Sequence, residues 1–277
     1  MSIQQPVYVA HLLPVLDTKL SELLRSLTPD EWQAQTVAKL WKVKDVAAHL
    51  LDSNIRILSI LRDGYFGEQA NIPSRQDLLD FLNGLNADWV KAMKRVSPSM
   101  LIFLLETTGK PFCDYLQQLP PSGPSLLSVE WAGETESKNW MEIAREYTEK
   151  WLHQQQIRDA VHKPGLMTRE LFHPFIDIFM LALPHTFRNT PAETGTVVQL
   201  TISSDIGGSW HLLRIADKWV LSDPPSGTPA TTITIDPDTA WKLFSKSLRP
   251  GDVHGKVGIT GDPALGETAL SMVSVMA

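Results

Sequence analysis

The chain has 277 residues, of which 43% are hydrophobic and 20% charged, a balance typical of globular domains rather than of disordered segments. Its net charge of -6 and its lack of a lysine- and arginine-rich run argue against a nucleic-acid partner, because such partners require basic surfaces. No apolar stretch approaches the roughly 20 residues that span a bilayer, so no membrane segment is expected. The length predicts one or two domains.

The amino terminus and the cysteine content bear on the cellular compartment. The first 16 residues lack the basic region and the small-residue cleavage site of a signal peptide. A single cysteine, Cys113, excludes an intrachain disulfide and fits a reducing compartment. These features predict a cytoplasmic protein. They also favour Cys113 as a buried packing residue over Cys113 as a nucleophile.

The first two thirds of the chain have helical periodicity. Helices are predicted, in chain order, at residues 8–27, 43–62, 74–96, 97–118, 138–161 and 168–188. The Thr28-Pro-Asp-Glu31 segment has the residues of a further helix start, with threonine at the cap and glutamate three positions on. Prolines at 120, 121 and 124 separate the fourth and fifth of the long helices, because proline cannot continue the hydrogen-bond ladder.

After Asn189 the pattern changes to alternating and β-branched residues, which are typical of strands. Strands are predicted at residues 196–203, 209–215, 218–222, 231–235 and 256–260, and helices at 237–248 and 263–275. We place a domain boundary at about residue 190. Residues 1–189 are expected to form an all-α helical bundle of the four-helix type, and residues 190–277 a small α+β domain.

Three residues on two of the predicted helices have the chemistry of metal ligands. Glu149 and His153 are four residues apart, so their side chains leave one stripe of the helix one turn apart. His49 flanks the stripe of the 43–62 helix that carries Val46, Leu50, Asn54, Ile57 and Leu61. A helical Glu–His pair is more often an exposed ion pair, so spacing alone leaves both interpretations open.

The residues around these positions resemble a known family. The segment TVAKLWKVKDVAAHLLD at 36–52 is similar to the T…W-x-V-x-D-v-x-x-H-L motif of the DinB-like metal-binding helical bundles. Its closest likeness is to the branch of the mycothiol-dependent maleylpyruvate isomerases. The segment EYTEKWLHQQQIRDA at 146–160 resembles the second ligand segment of that branch. The resemblance implies that His49, Glu149 and His153 hold one divalent metal ion.

The carboxyl-terminal part resembles the same branch. The segments TITIDPDTAWKLF at 232–244 and VGITGDPAL at 257–265 are similar to its second domain, whose fold is like that of sterol carrier proteins. The isomerase relies on an arginine there, in a Leu-x-Gly-Arg motif. This chain has LFSKSLR at 243–249, without a Gly-Arg pair, and Arg249 matches only after a shift of two residues. Arg249 is the candidate catalytic residue, and maleylpyruvate is not predicted as the substrate.

Three protein ligands leave a coordination position open, as in catalytic zinc sites. The resemblance implies that a low-molecular-weight thiol such as mycothiol or bacillithiol occupies this position. A metal-bound thiol loses its proton near neutral pH and can then act as a nucleophile. We therefore expect a metal-dependent thiol transferase or isomerase that acts on an electrophilic small molecule. Two imidazoles and one carboxylate suit zinc, and they also accept nickel, iron or cobalt.

Two other functions are compatible with the sequence. A metal-bound hydroxide would make the protein a hydrolase, but no general base other than the ligand Glu149 is evident. The chain is also compatible with a non-enzymatic module that binds a metal and an apolar ligand. Gln156 shares the ligand stripe and is the candidate cofactor-binding residue, expected to hydrogen-bond a ligand or a metal-bound water. Trp41 and Trp151 are expected to pack in the core. The sequence makes no prediction of oligomeric state.

Overall fold

The structure is a computed structural model that describes residues 6–68, 70–126, 132–225 and 227–274. Its helices are α1 (Leu13–Arg25), α2 (Val43–Ile57), α3 (Arg75–Met93), α4 (Pro98–Gln118), α5 (Asn139–Ala160), α6 (Arg169–Met180), α7 (Leu183–Phe187), α8 (Pro237–Phe244) and α9 (Pro263–Leu270). Its strands are β1 (Val197–Ile202), β2 (Gly208–Ile215), β3 (Lys218–Ser222), β4 (Thr231–Ile235) and β5 (Val257–Gly261). The elements follow the predicted order, except at Thr28 and within residues 168–188.

Local capping explains where several helices begin. The Ser74 hydroxyl accepts a hydrogen bond from the backbone N–H of Asp77 at the start of α3. The Ser97 hydroxyl accepts one from Met100 at the start of α4, where Pro98 takes the first helical position. Both caps satisfy a backbone N–H that has no partner within the helix. The predicted start of the fourth helix therefore agrees with the structure to within one residue.

The prediction of a helix beginning at Thr28 is wrong, because only a short turn forms there. The capping bonds form, since the Thr28 N–H donates to the Glu31 carboxylate at 2.7 Å and the Glu31 N–H donates to the Thr28 hydroxyl at 3.3 Å. Only a 3-10 turn, Glu31–Gln33, follows them. Ala34 is extended, and its carbonyl accepts a hydrogen bond from the Val43 N–H at the start of α2.

The single helix predicted at 168–188 is divided into α6 and α7. Pro184 lies in the first turn of α7 and has no N–H to bond to the carbonyl four residues earlier. The helix predicted at 43–62 is also modified. Its last turn, Leu58–Arg62, is a π-helix, closed by a 3.0 Å bond from the Asp63 N–H to the Leu58 carbonyl.

The chain forms two compact units. The helical unit consists mainly of Tyr8–Leu126 and Glu146–Leu166, and the sheet unit mainly of Leu127–Arg145 and Met167–Val275. Helix α5 belongs to the helical unit from Glu146 onward. The change from helices to strands falls between Phe187 and Val197. Each unit is built from more than one segment of the chain, so the units do not divide it at a single residue. The domain boundary at about 190 stays a prediction.

In the helical unit, α2 packs against α3 and α4, and α1 packs against α4. The buried apolar core of this unit includes Leu20, Leu24, Val46, Ala47, Leu50, Leu51, Leu101, Leu105 and Ile157. Helix α5 differs from the others because much of its buried surface is polar. Its buried polar residues in this unit are Glu146, Thr148, Lys150, Gln154, Gln155, Gln156 and Arg158. Polar groups removed from water require partners or a bound ligand, so the buried polar residues of α5 make it the candidate site of function.

The sheet unit contains a five-stranded sheet of order β3-β2-β1-β4-β5. Neighbouring strands are antiparallel except β1 and β4, which are parallel. Helix α7 packs against β3, and α9 packs against β1, β4 and β5. A helical bundle followed by a small α+β sheet domain is the predicted fold class, and it is confirmed. Within the described residues, no helix has the length and hydropathy needed to cross a membrane.

Candidate metal centre

The helical unit brings His49, Glu149 and His153 together. One ligand atom from each lies within 4.8 Å of the other two, and this is the only such group of three or more potential ligands among the described residues. His49 comes from α2, and the other two lie one turn apart on α5. The rings of the two histidines are 4.6 Å apart between centroids. The structure thus places the three residues predicted as metal ligands at one point.

The His153 ring lies between two polar neighbours. Its Nδ1 lies 2.9 Å from the Gln156 Oε1, and its Nε2 lies 3.1 Å from the Glu149 Oε2. An amide oxygen only accepts hydrogen bonds, so we assign the proton to Nδ1. In this tautomer Nε2 has a lone pair and no proton, so its contact with the Glu149 oxygen is not a hydrogen bond, and both atoms are free to bind the same cation. Gln156 therefore lies in the position expected of a residue that orients a ligand.

His49 is buried and electrically neutral, as a histidine that binds a metal ion must be. Its side chain is only 7% exposed, and its Nδ1 is buried with no hydrogen-bond partner among the described residues. Burial first, and the charge of His153 second, lower the pKa of His49 to about 3, so the ring is neutral at pH 7. A buried nitrogen without a partner costs free energy. A divalent cation that accepts a lone pair from this ring fits the residues present.

Trp41 completes the surroundings of the two histidines. Its ring centroid lies 4.8 Å from that of His49 and 6.2 Å from that of His153. The Trp41 carbonyl is held by the Thr36 N–H at 3.3 Å, the Thr36 hydroxyl at 2.7 Å and the Gln35 side-chain amide at 2.9 Å. The sequence predicted a packing role for Trp41. The structure shows a half-buried indole that packs against the apolar core of the helical unit, as predicted, and that also contacts both proposed ligands.

This contact predicts a fluorescence signal. Adding Co(II) to metal-free protein is expected to quench part of the tryptophan emission, because a paramagnetic ion at the histidines lies close to the Trp41 indole. Most of this quenching is expected to disappear in Trp41→Phe, although eight other tryptophans remain. Diamagnetic Zn(II) provides the control. Equal Co(II) quenching in wild type and Trp41→Phe would show that the ion binds elsewhere.

Beside the centre lies a buried polar cluster that the sequence analysis did not identify. Lys150, 5% exposed, donates hydrogen bonds to the Asn54 side-chain oxygen and, at 3.3 Å, to the Leu50 carbonyl. Its ammonium lies 4.5 Å from the centroid of the Phe112 ring. Burial lowers the pKa of Lys150, whereas the charges of Asp17 and Glu146 act in the opposite direction. The cluster connects α5 to α1, α2 and α4.

Two other residues considered in the sequence, Cys113 and Arg249, are not among the candidate metal ligands. Cys113 is buried, as predicted, and burial raises the pKa of its thiol to about 12. Arg249 is exposed, belongs to the sheet unit and precedes the 3-10 turn Pro250–Val253, where its N–H donates to the Asp252 carboxylate at 2.8 Å. Its catalytic role stays a prediction.

Comparison with known proteins gives both a family and a fold. Residues 13–158 match a family described as the mycothiol maleylpyruvate isomerase N-terminal domain. A crystal structure of the mycothiol-dependent maleylpyruvate isomerase has a TM-score of 0.55 at 11% identity, over 91% of both chains. A mutant of that isomerase gives 0.55 at 10% identity over the same shares. These identities support a shared fold.

Sterol Carrier Protein 2 Like 2 from Aedes aegypti also matches, with 24% identity and a TM-score of 0.24, over 31% of this chain and 81% of that chain. None of the curated proteins is significantly similar to the chain in sequence. The family match covers more than half of the 277 residues and includes all three candidate ligands. The chain therefore belongs to the mycothiol maleylpyruvate isomerase N-terminal domain family.

Proposed function

We propose that this protein is a metal-dependent enzyme that uses a small-molecule thiol as cofactor, either to transfer the thiol to an electrophilic small molecule or to isomerise that molecule. The observation that carries the proposal is the convergence of His49, Glu149 and His153 within 4.8 Å, with a buried imidazole nitrogen that has no hydrogen-bond partner among the described residues. Membership of a family named for mycothiol supports the choice of a thiol. Zinc suits this ligand set best, and nickel is also compatible with it.

The side chains of the centre have separate tasks in this proposal. His49 stays neutral at pH 7 because it is buried, so its ring is ready to bind a cation. Gln156 holds the His153 ring in the ligand tautomer. Glu149 provides the negative charge and is the most accessible of the three, at 27% exposure. A divalent cation bound there would supply Lewis acidity, which lowers the pKa of a coordinated thiol to near neutrality.

The chain's own cysteine does not supply the nucleophile. The Cys113 thiol is buried and has a pKa of about 12, so it stays protonated at physiological pH. A thiolate at the centre must then come from a separate molecule. This observation favours a small-molecule thiol as cofactor over a protein-bound sulfur intermediate.

Thermal unfolding with added thiols tests the proposal. Mycothiol or bacillithiol is expected to raise the melting temperature of zinc-loaded wild type by several degrees, because a ligand at a hundred times its Kd contributes about 2.7 kcal/mol of stability. Metal-free protein and His153→Ala are expected to show no shift. His254→Ala, which removes an exposed histidine outside the centre, is expected to behave as wild type.

The disulfide forms of the same cofactors provide a second control, because they carry no free thiol. If the thiol and the disulfide raise the melting temperature of zinc-loaded protein equally, the effect comes from the rest of the cofactor and not from the thiol group. If no thiol changes the melting temperature of zinc-loaded wild type, the proposed use of a thiol is wrong.

A further inference from the structure

The Trp41 indole lies beside the His49–Glu149–His153 centre. Its ring centroid is 4.8 Å from that of His49, with 42° between the two ring planes, and 6.2 Å from that of His153. An ion bound to a ring nitrogen of His49 would lie about 3 Å from the centroid of that ring, and therefore no more than about 8 Å from the Trp41 centroid. The first few atoms of a small molecule attached at the centre are thus within reach of the indole.

The indole is only partly used in packing. It contacts the apolar core of the helical unit, yet Trp41 is half-buried rather than buried. Its ring N–H donates to no acceptor among the described residues, whereas the ring N–H of Trp89 donates to the Ala48 carbonyl at 2.8 Å. Part of a large aromatic ring beside the centre is therefore available to contact a ligand.

Side chains of the preceding residues hold the backbone of Trp41 in place. The Gln35 side-chain amide donates to the Trp41 carbonyl at 2.9 Å and to the Ala38 carbonyl at 3.3 Å. The Thr36 hydroxyl donates to the Trp41 carbonyl at 2.7 Å. Because these bonds lie within the protein, the indole is positioned before a ligand arrives, and binding to it costs little conformational entropy.

The chemistry of the indole indicates which group it binds best. An indole has a flat π-face, against which another flat π-bonded group packs in offset or edge-to-face geometry. Such a pair contributes more than the area that it buries, whereas a saturated group of the same size contributes only the area. A carbon–carbon double bond conjugated to a carbonyl is flat and is attacked by thiolates. A preference for flat groups therefore agrees with the proposed function.

We propose that Trp41 is a specificity-determining residue that packs against a flat, π-bonded group of the small molecule bound at the His49–Glu149–His153 centre. The proposal deepens the proposed function and rests on its metal centre. It predicts that the protein selects aromatic or conjugated molecules over saturated molecules of the same size.

Two thiols that differ in the saturation of one ring test this proposal. Phenylmethanethiol carries a benzene ring one carbon from sulfur, and cyclohexylmethanethiol carries a cyclohexane ring there. Each is titrated into Co(II)-loaded protein, and binding is followed by the thiolate-to-cobalt absorption band. The preference for the aromatic thiol is expected to be about five times greater in wild type than in Trp41→Leu, the contribution typical of one aromatic pair. Comparing the two proteins cancels the difference in acidity between the thiols.

Matched variants separate this role from a structural one. Trp41→Phe keeps a π-face and is expected to retain most of the preference. Phe103→Leu removes an aromatic side chain that is 58% exposed on α4, and it is expected to behave as wild type. The cobalt spectrum before thiol addition shows whether the centre is intact in each variant. The same preference in wild type and in a Trp41→Leu protein with an intact centre overturns the proposal.

A measurement on wild type decides the matter if Trp41→Leu does not hold cobalt. The Trp41 indole N–H resonance of the Zn(II)-loaded protein is assigned by its absence from the spectrum of Trp41→Phe. Phenylmethanethiol is expected to shift this resonance through its ring current, and cyclohexylmethanethiol to shift it much less. Equal shifts with both thiols overturn the proposal.

Failure of the thiol hypothesis would give a different result, because neither thiol would then produce the absorption band in Co(II)-loaded wild type. Hydroxamates, which bind metal ions through oxygen, then test Trp41 alone. Benzohydroxamate is expected to be favoured over cyclohexanecarbohydroxamate about five times more strongly in wild type than in Trp41→Leu. The same preference in both proteins overturns the assignment of Trp41, and wild type that binds no cobalt overturns both proposals.

Discussion

Lys150→Met is expected to lower the free energy of unfolding of the metal-free protein by about 3 kcal/mol or more, as is typical when one member of a buried charged group is removed. Lys150 is the buried cation that faces the charges of Asp17 and Glu146. Methionine fills most of the space but leaves both carboxyls without this cation. The Asn54 side-chain oxygen and the Leu50 carbonyl also lose a donor. Urea unfolding followed by circular dichroism measures the change.

Lys110→Met is the matched control. Lys110 pairs with Asp114 on α4 through a side chain that is 79% exposed, and exposed ion pairs contribute little. We expect its effect to stay within about 0.5 kcal/mol. Adding Asp17→Asn to Lys150→Met is expected to recover part of the lost stability, because one uncompensated acid is removed. A Lys150→Met protein as stable as the Lys110→Met protein would contradict the role given to this cluster.

Acidification is expected to destabilise the metal-free protein through His49. The pKa of His49 is about 3 in the folded state, against an ordinary value of 6.5, so the unfolded chain binds more protons between these two values. Stability is therefore complete above pH 6.5 and is lost as the pH falls from 6.5 toward 3. Between pH 7 and pH 5 the expected loss is about 2 kcal/mol, and this window lies above the ordinary range of carboxyl titration.

His49→Gln isolates this contribution. Glutamine is polar and does not titrate. The loss of stability between pH 7 and pH 5 is therefore expected to be about 2 kcal/mol smaller in the variant than in wild type. Denaturant unfolding at both pH values, in a chelator that removes metal ions, measures the difference. If wild type and His49→Gln show the same pH dependence, His49 is not held neutral by the fold.

The sequence predicted the elements well where local signals and periodicity agreed. The helix predicted at 97–118 begins where expected, and the structure has a Ser97 cap and a first-turn Pro98 there. The Thr28 capping box is equally strong locally, yet it forms only a single 3-10 turn. The turn ends at the extended Ala34, whose carbonyl accepts a hydrogen bond from the Val43 N–H, a contact with a segment nine residues later. A local signal does not reveal such a contact.

The candidate ligands were predictable and their neighbours were not. Glu149 and His153 could be selected because their spacing fixes their relative direction on one helix. The Lys150 cluster was missed because periodicity shows which face is buried but not which polar group lies opposite. One signal was present: Asn54 occupies the apolar stripe of α2, and a buried amide requires a partner, here Lys150. Trp41 precedes α2, so helical spacing gives it no direction.

The measurement that tests the central claim most directly is X-ray absorption spectroscopy of Co(II)-loaded protein, together with metal analysis of wild type, His153→Ala and His254→Ala. We expect one tightly held ion per chain in wild type and His254→Ala, with scattering from two imidazole rings and a carboxylate. We expect His153→Ala to lose most of its metal on dialysis. Equal metal content in wild type and His153→Ala, or a ligand shell without two imidazoles, would contradict a centre formed by His49, Glu149 and His153.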